Sequence, residues 1–458
     1  MKVIVCGAGQ VGSSIARHLA SENNDITVID NSPELIRKLS DSLEVRGIVG
    51  FASQPDVLEQ AGAADADMIV AVTYADEVNM VACQVAHSLF KVPTKIARVR
   101  EQSYLNPIWA DLFSRDNMPI DVIISPEIEV ARAILRRLQI PGAFNSIPFA
   151  DGKVRVIGVR CNETCPVINT PLKQLAGLFP DLDILVVGIM RDDKLIVPDG
   201  DEQMLPGDEV YFVAADGHVA RAMLAFGHEE IEARRVLIIG GGNIGIYLAR
   251  FIGENYPGMK LKIIEIDEGR AKNAAQALSD ALVFHGDALD PEVLTEAHIA
   301  DTEAVISVTN DDEINILSSL LAKRYGAKRA LTLVNKMTYG PLITDLGIDV
   351  VIDPRATTVS TILQHVRRGR VMSVHSLGES VGEIIELEAL ETSPLVGRAI
   401  KDIELPDDVM IGALVHEGEV IIPTGATEVK ADNRVILFAA THAVKKVEKM
   451  FSVRLEFF

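Results

Sequence analysis

The stretch that decides the fold is "KVIVCGAGQVG" at residues 2–12, a short apolar run that ends in three spaced glycines. A second stretch of the same kind, "RVLIIGGGNIG", occupies residues 235–245. In a G-x-G-x-x-G loop, the first glycine permits a tight turn, the second lets a ligand approach the backbone, and the third lets helix and strand pack closely. Each stretch therefore predicts a strand, a glycine loop and a helix whose N-terminus can hold phosphate.

Short β-branched runs alternate with amphipathic helical patterns on the C-terminal side of the first loop. A helix is expected from Gln10 to about Ser21, followed by the strand "DITVID", a helix after Ser32 and Pro33, and the strands "VRGIVG" and "ADMIVAVT". Such alternation is typical of parallel βαβ units, and continuous apolar runs suit strands that are covered on both faces. The prediction is α/β, a Rossmann-like doubly wound parallel sheet.

The same order of elements restarts near residue 234, so the chain contains an internal repeat. The acid that ends the second strand is Asp30 in the first half and Glu265 in the second. Other matching segments are "VGFAS" (49–53) with "HGDAL" (285–289), "ADMIVAVTYADEVNM" (66–80) with "TEAVISVTNDDEINI" (302–316), and "IDVIISP" (120–126) with "IDVVIDP" (348–354). The offset stays between 228 and 236, which makes chance a poor explanation.

A smaller segment of different composition follows each Rossmann-like unit. Its short strands and its Pro and Gly turns predict a small α+β module, and "KLIVPDGDEQMLPGDEVYFVA" matches "EVIIPTGATEVKADNRVILFA". The polar stretch 225–235 is interpreted as the linker between the halves. The predicted domains are 1–141 and 234–372, which are Rossmann-like, and 142–228 and 373–458, which are the small modules.

The acids Asp30 and Glu265 lie about 20 residues after their loops, the spacing at which a carboxylate accepts hydrogen bonds from ribose hydroxyls. A carboxylate at this position repels a 2′-phosphate, so NAD or another unphosphorylated adenosine ribose is favoured over NADP. The alternative for Asp30, which directly precedes "NSPE", is a structural role in capping the next helix.

No repeated set of residues points to catalysis. None of the ten histidines recurs in both halves, and nucleophile-elbow, Walker A and metalloprotease patterns are absent from the sequence. The repeated acids and amide, Asp76, Glu77 and Asn79 with Asp312, Glu313 and Asn315, lie at predicted helix starts. There they either complement exposed N–H groups or contact a ligand. No catalytic residue and no metal site are predicted.

The composition of the chain limits its expected cellular location and the classes of partner that it can bind. The formal net charge of −21 argues against nucleic acid and against a basic lipid-binding face. Uncharged apolar runs of bilayer-spanning length and a signal-peptide pattern are absent, so a cytoplasmic chain with a peripheral membrane role is expected. Four cysteines give no disulfide framework; Cys6 and Cys83 are expected in the core, and Cys161 with Cys165 lacks further zinc ligands.

The loop "GAGQVG", the acid Asp30, "AVTYADEVNMVACQVA" and "KIARVR", repeated more weakly and each followed by a "GDEV"-type module, resemble RCK domains, the regulators of potassium conductance. Two tandem copies cover the chain. The resemblance implies nucleotide-binding Rossmann units that bind NAD(H) and ATP or ADP. It also implies homo-oligomers, such as a tetrameric gating ring, under an integral-membrane potassium channel subunit at the inner face of the membrane.

The resemblance also implies the nucleotide contacts. In the first half they are Gly7, Ala8, Gly9, Gln10, Val11, Gly12, Asp30, Ala52, Ser53, Thr73, Arg98 and Arg100. In the second half they are Gly240, Gly241, Gly242, Asn243, Ile244, Gly245, Glu265, Asp287, Ala288 and Thr309. The stretch "ARVR" becomes "LTLV" at 331–334, so the second site lacks the phosphate-facing cations. "ADNR" at 431–434 replaces the glycine of "PGDE" at 206–209, which argues against a ligand there.

Three functions remain open on the sequence. The favoured one is a non-catalytic nucleotide sensor that gates a potassium channel. A soluble NAD-dependent oxidoreductase with duplicated Rossmann units is the alternative, although no paired acid or substrate domain supports hydride transfer. The third is a dimerisation scaffold whose second Rossmann unit has lost its ligand.

Overall fold

The structure is a computed structural model that describes residues 1–21, 24–179, 182–192, 194–230, 232–339, 342–343, 346–366, 371–377 and 382–450. The end of the second predicted small module, 451–458, lies outside the described residues. The chain divides into two units. The first comprises Met1–Ala131 and Asp353–Val366, and the second comprises Arg132–Ile352 and Arg367–Phe458.

The first Rossmann-like domain is a parallel sheet with the order β3-β2-β1-β4-β5-β6. Its elements are β1 (Lys2–Cys6), α1 (Gln10–Ser21), β2 (Asp25–Asp30), α2 (Pro33–Ser42), β3 (Arg46–Val49), α3 (Pro55–Gln60), β4 (Met68–Ala71), α4 (Asp76–Ser88), β5 (Thr94–Arg98), β6 (Val122–Ile124) and α5 (Pro126–Gln139). Residues 3–6 of β1 are buried because apolar clusters cover both faces of the sheet. The predicted doubly wound sheet is confirmed.

An antiparallel module follows, with the sheet order β10-β9-β11-β8-β7. Its elements are β7 (Ala143–Phe149), β8 (Val154–Arg160), α6 (Leu172–Leu178), β9 (Ile184–Arg191), β10 (Lys194–Ile196), β11 (Glu209–Ala215) and α7 (Val219–Ala225). The ring of Phe226, the residue that follows α7, stacks on the ring of Phe212 in β11, with centroids 4.9 Å apart. The module is the predicted small α+β unit.

The second Rossmann-like domain repeats the strand order of the first as β14-β13-β12-β15-β16-β17. Its elements are β12 (Arg235–Ile239), α8 (Asn243–Asn255), β13 (Lys260–Glu265), α9 (Glu268–Ala277), β14 (Ala281–His285), α10 (Pro291–Glu296), β15 (Ala304–Ser307), α11 (Asp312–Arg324), β16 (Arg329–Leu333) and β17 (Val350–Ile352). The internal repeat seen in the sequence is therefore a repeat of the whole parallel sheet.

The helix that follows, α12 (Pro354–Val366), lies in the second half of the sequence and belongs to the first unit. Its buried side chains Val359, Ile362 and Leu363 join the core that holds Ile15 and Leu19 of α1. The sequence boundary at residue 372 groups this helix with the second domain, whereas its apolar face completes the core of the first.

The last module has the sheet order β18-β19-β24-β21-β22 and a two-stranded ribbon, β20-β23. Its elements are β18 (Val371–Ser376), β19 (Gly382–Glu388), β20 (Arg398–Ala399), β21 (Val409–His416), β22 (Glu419–Ile421), β23 (Glu428–Val429), β24 (Arg434–Ala440) and α13 (Val444–Met450). Short 3₁₀ turns connect the elements at Ala63–Asp65, Gln102–Leu105, Pro107–Phe113, Ala150–Gly152, Asp216–His218, Ile299–Asp301, Met337–Tyr339 and Ile400–Asp402.

The two small modules share one core inside the second unit. Val187 and Val213 of the first module and Ala413 and Phe438 of the second belong to the same buried cluster. A side chain on Gly412 would come within 2.6 Å of Val213, so the sheets approach closely where glycine leaves room. Among the described residues, no helix combines the length and the hydrophobicity that crossing a bilayer requires.

Candidate functional site

The first glycine loop begins where β1 ends. Gly7 has a φ of +109°, a backbone conformation that L side chains rarely adopt, and its N–H donates to the Ile29 carbonyl at 2.7 Å. A Cβ on Gly7 would also lie 3.1 Å from the backbone of Val72 and Thr73. Glycine is required here because the chain must turn sharply between two neighbouring strands.

The second and third glycines of this loop have different surroundings. A Cβ on Gly12 would lie 1.8 Å from the Gly7 carbonyl oxygen, so Gly12 lets the first turn of α1 pack on the loop. A Cβ on Gly9 would meet nothing within 4 Å. The first N–H groups of α1, from Gln10 onwards, have no partners within the helix. Gly9 therefore marks open space in front of backbone donors that have no partner within the helix, where a phosphate fits.

Asp30 is held at the end of β2 by two backbone donors. One carboxylate oxygen accepts the Ala8 N–H at 2.7 Å, and the other accepts the Ser32 N–H at 2.8 Å. The side chain that caps α2 is that of Ser32, which accepts the Leu35 N–H. Because a carboxylate offers about four acceptor positions, each oxygen of Asp30 keeps one for a ribose hydroxyl.

The segment that contains the predicted contacts Ala52 and Ser53 follows β3 at the same edge of the sheet. The Gly50 N–H donates to the Asp30 carbonyl at 2.9 Å, which ties this segment to the end of β2. Ala52 is buried, and Ser53 is partly exposed. The carboxyl ends of β1, β2, β3 and β4 thus gather the predicted residues at the point where the strand order reverses, as ligand sites in such sheets require.

Thr73, at the end of β4, is fixed by a buried amide. The Thr73 N–H and hydroxyl both donate to Asn79 Oδ1, at 2.8 and 2.7 Å, and Asn79 Nδ2 donates to the carbonyls of Thr73 and Arg98. Asn79 is fully buried. It joins the ends of β4 and β5, and the recurrence of asparagine at residue 315 was the signal in the sequence for this role.

Asp76 has a similar structural role. One of its oxygens accepts the backbone N–H groups of Arg100 and Glu101, both at 2.8 Å. It therefore holds the loop after β5 against the start of α4. This contact is neither of the two roles left open for the repeated acids, because Asp76 accepts N–H groups of the loop after β5 and not those at the start of its own helix.

The cation Arg98 lies beside Thr73. Its Nη2 donates to the Thr73 carbonyl at 2.6 Å, while its buried Nε has no hydrogen-bond partner among the described residues. Burial and the neighbouring Arg100 hold the pKa of Arg98 below its ordinary value. Arg100 is exposed and pairs through Nε with Glu127 at 3.0 Å. Arg98 is thus the cation that lies directly against Thr73.

The second glycine loop reproduces the geometry of the first. Gly240 has a φ of +110° and donates to the Ile264 carbonyl at 2.9 Å, and a Cβ on Gly245 would lie 2.0 Å from the Gly240 carbonyl oxygen. A Cβ on Gly242 would meet nothing within 4 Å. Gly242 caps α8, which begins at Asn243 and continues with Ile244. This loop, too, is shaped to admit a phosphate.

Glu265 differs from its counterpart Asp30 because the guanidinium of Arg270 donates hydrogen bonds to it. One oxygen accepts the Gly241 N–H at 2.7 Å; the other accepts the Asp267 N–H at 2.9 Å and both Nε and Nη2 of Arg270, at 3.1 and 2.8 Å. Burial opposes ionisation, yet the hydrogen bonds from Arg270, Asp267 and Gly241 hold the pKa of Glu265 below its ordinary value. The acid is ionised and paired.

The remaining residues of the second set lie at positions that match those of the first half. Asn315 accepts the N–H and the hydroxyl of Thr309 at 2.8 and 2.7 Å, as Asn79 does for Thr73. Ala288 is buried, and exposed Asp287 accepts the Leu289 N–H at 2.8 Å. The structure therefore positions the second set of residues around a loop of the same form.

The alignment after β16 needs a correction of one residue. Asn315 Nδ2 donates to the carbonyl of Leu333, which makes Leu333 the counterpart of Arg98. Asp312 accepts the N–H groups of Asn335 and Lys336, which places Asn335 opposite Arg100. An alignment of residue types alone missed this shift of one residue. The hydrogen bonds of the two asparagines and the two aspartates show which residues of the two halves correspond. The positions of both arginines lack a cation, as predicted, while Lys336 lies one position further on.

The glycine missing from the last module does not change its turn. Gly207 of the first module has a φ of +93°, and Asp432 at the matching position has a φ of +61°. Asn433 then accepts the Lys430 N–H at 2.8 Å, just as Asp208 accepts the Leu205 N–H. Within the described part of the chain, His, Cys, Asp and Glu side chains form no cluster that could hold a metal ion.

Family models match both kinds of domain. The TrkA-N domain matches residues 3–126 and 236–354, and the TrkA-C domain matches residues 156–227 and 384–452. The fold and the paired loops thus define a protein with tandem TrkA-N and TrkA-C domains. In structure the chain is similar to the GsuK RCK domain, with a TM-score of 0.60, 20% identity and coverage of 99% and 95% of the two chains.

Full-length relatives narrow this class to one family. The chain is 53% identical to the Trk system potassium uptake protein TrkA of Azorhizobium caulinodans, over 100% of both chains. It is 43% identical to the protein of the same name from Halomonas elongata, also over 100% of both. The chain belongs to the TrkA family of Trk potassium uptake systems. It is a regulatory subunit of potassium uptake and not an enzyme, which removes the oxidoreductase alternative.

Proposed function

We propose that the chain binds adenine nucleotides, NAD(H) and ATP or ADP, in its Rossmann-like domains and thereby gates a membrane potassium channel. The observation that carries this is the repeated cradle: an open second glycine at the start of a helix, beside an acid that the loop itself orients. Such a cradle suits a pyrophosphate and a ribose together.

In the first site, the parts of a nucleotide find complementary groups. The free acceptor positions of Asp30 suit the ribose hydroxyls, and the open face of Gly9 suits the first phosphates. The guanidinium of Arg98, which donates to the Thr73 carbonyl at 2.6 Å, supplies positive charge for a further phosphate. The first site is therefore the one with a reason to bind a triphosphate.

Gating follows if the nucleotides prefer different conformations of the assembled protein. A ligand shifts such an equilibrium only through its differential affinity for the two states, typically worth about 1–3 kcal/mol. We propose that the chain forms a tetrameric ring at the cytoplasmic face of the membrane, attached peripherally to an integral-membrane subunit of the TrkH/TrkG type. A scaffold with an inactive second domain is the competing possibility.

Calorimetric titration of the full chain with NAD, NADH, ADP and ATP tests the proposal. We expect binding at the first site for each nucleotide, and we expect Arg98→Ala to weaken ATP more than NAD because the triphosphate gains more from the added cation. Arg115→Ala serves as the control, because this exposed arginine lies outside the proposed contacts. If none of the four nucleotides binds, the proposal is wrong. If Arg98→Ala weakens the binding of ATP and of NAD equally, Arg98 does not belong to the phosphate site.

A further inference from the structure

The helix that follows each acid provides a reliable comparison between the two cradles. Ser32 caps α2 by accepting the Leu35 N–H, and Asp267 caps α9 by accepting the Arg270 N–H. Leu35 and Arg270 are therefore the same position of the repeat, three residues after the cap. The first cradle has an apolar side chain there, and the second has a guanidinium.

The guanidinium uses the acceptor positions that a ribose needs. A carboxylate offers about two such positions on each oxygen. In the first cradle each oxygen of Asp30 accepts one backbone N–H, which leaves one position free on each. In the second cradle one oxygen of Glu265 already accepts three donors, two of them from Arg270, so only its other oxygen can accept more.

Arg270 is the exposed member of its pair with Glu265. The Glu265 side chain is only 4% exposed, whereas the Arg270 side chain is 57% exposed. An incoming ribose therefore meets the guanidinium first, and Arg270 can swing into solvent without disturbing a core. The exposed guanidinium can therefore move away, while the buried carboxylate stays in place.

We propose that Arg270 is an intramolecular competitor for the ribose position of the second cradle, which sets the affinity and the ribose selectivity of that site below those of the first. The inference rests on the proposed nucleotide binding. A nucleotide at the second site must displace Arg270 from Glu265 or forgo one hydroxyl contact, whereas Leu35 imposes no such cost at the first site.

The test isolates each site in the full chain. Gly9→Leu fills the open face of the first loop, so the second site can be titrated alone; Gly242→Leu does the converse. In the Gly9→Leu background, Arg270→Leu should tighten NAD binding about tenfold, the equivalent of one hydrogen bond to a charged group. In the Gly242→Leu background, Leu35→Arg should weaken NAD binding by a similar factor.

Ribose selectivity gives a second readout that a purely structural role of Arg270 would not change. With Arg270 present, ADP and 2′-deoxy-ADP should bind the second site almost equally, and Arg270→Leu should make ADP the tighter ligand. Lys272→Leu is the matched control, because Lys272 lies on the same helix and pairs with Glu268 instead. Lys272→Leu should change the affinity of the second site for neither ADP nor 2′-deoxy-ADP.

The outcomes separate the two proposals. Unchanged or weaker NAD binding by the Arg270→Leu protein, at an unchanged melting temperature, overturns the competitor role, and weaker binding would show that the guanidinium contacts the nucleotide. If the Gly242→Leu protein with its intact first site binds no NAD, the nucleotide proposal fails and this inference falls with it.

Discussion

At the residue scale, loop and acid are matched to one another in each half of the chain. The first pairs Ala8 with the shorter Asp30, and the second pairs Gly241 with the longer Glu265. A Cβ on Gly241 would lie 3.2 Å from atoms of the Glu265 side chain, so the extra methylene of glutamate occupies the space that a loop methyl would need. Both pairs keep a 2.7 Å hydrogen bond from the loop to the acid, which shows that loop-to-acid contact is the feature retained.

The first prediction concerns Asp30. Asp30→Ala should weaken adenine nucleotide binding at the first site by about 1.5–3 kcal/mol, because the ribose loses a charged acceptor. Calorimetry with ADP measures the change, and Asp25→Ala, at the exposed opposite end of β2, is the control. Unchanged ADP affinity in the Asp30→Ala protein would show that this carboxylate serves only the loop.

At the element scale, local sequence patterns predict the helices and strands themselves, but they do not predict which elements pack together. The helix Gln10–Ser21 and the strand Asp25–Asp30 match the sequence prediction, because glycine spacing and apolar periodicity are local signals. The hydrogen bonds of Asn79 and the register at Leu333 depend on neighbouring strands that no local pattern specifies. Likewise, α12 has an amphipathic face, yet its sequence does not say which sheet that face covers.

The second prediction contrasts two glycines of one loop. Gly12→Ala should destabilise the first unit by about 3 kcal/mol or more, because its Cβ would lie 1.8 Å from the Gly7 carbonyl oxygen. Gly9→Ala should leave stability almost unchanged, because the space beside Gly9 is open. Urea unfolding of both variants measures the difference, and equal stability of the two proteins would contradict the packing role of Gly12.

The third prediction concerns α12. Ile362→Ala should destabilise the first unit by about 2–5 kcal/mol, because Ile362 is fully buried in the core shared with α1. Hydrogen exchange should then show faster exchange of the β1 amides, although residue 362 is far from β1 in sequence. His365→Ala, at an exposed position of the same helix, should leave those amides protected. Slow exchange of β1 in the Ile362→Ala protein would mean that the first core is stable without α12.

At the scale of the whole molecule, duplication places two cradles of one form in separate structural units. The two are not equivalent: the first has Arg98 and an Asp30 that accepts only one backbone N–H on each oxygen, whereas the second has Leu333 and an acid paired with Arg270. One chain can therefore respond to two nucleotide concentrations, or to two nucleotides, if occupancy of each cradle biases the same assembly. Linkage then requires any coupling between the sites to be reciprocal.

The last prediction tests whether both cradles are sensors. Gly9→Leu and Gly242→Leu should each remove one nucleotide per chain without loss of folding, because both side chains enter space that the protein leaves open. Each protein should still associate with the membrane subunit and lose part of the difference in potassium flux between ATP and ADP. The measurement is flux through the reconstituted complex in proteoliposomes, with the unmodified chain as reference.

The pattern of losses assigns a role to each cradle. If both variants lose part of the response, both loops are sensors, and the reciprocal coupling can be measured by titrating one site with the other filled or blocked. Loss in the Gly9→Leu protein alone would make the second cradle structural, which would agree with an acid already satisfied by Arg270. A full response from both variants would leave the loops without a sensory role, and the scaffold hypothesis would then explain the duplication.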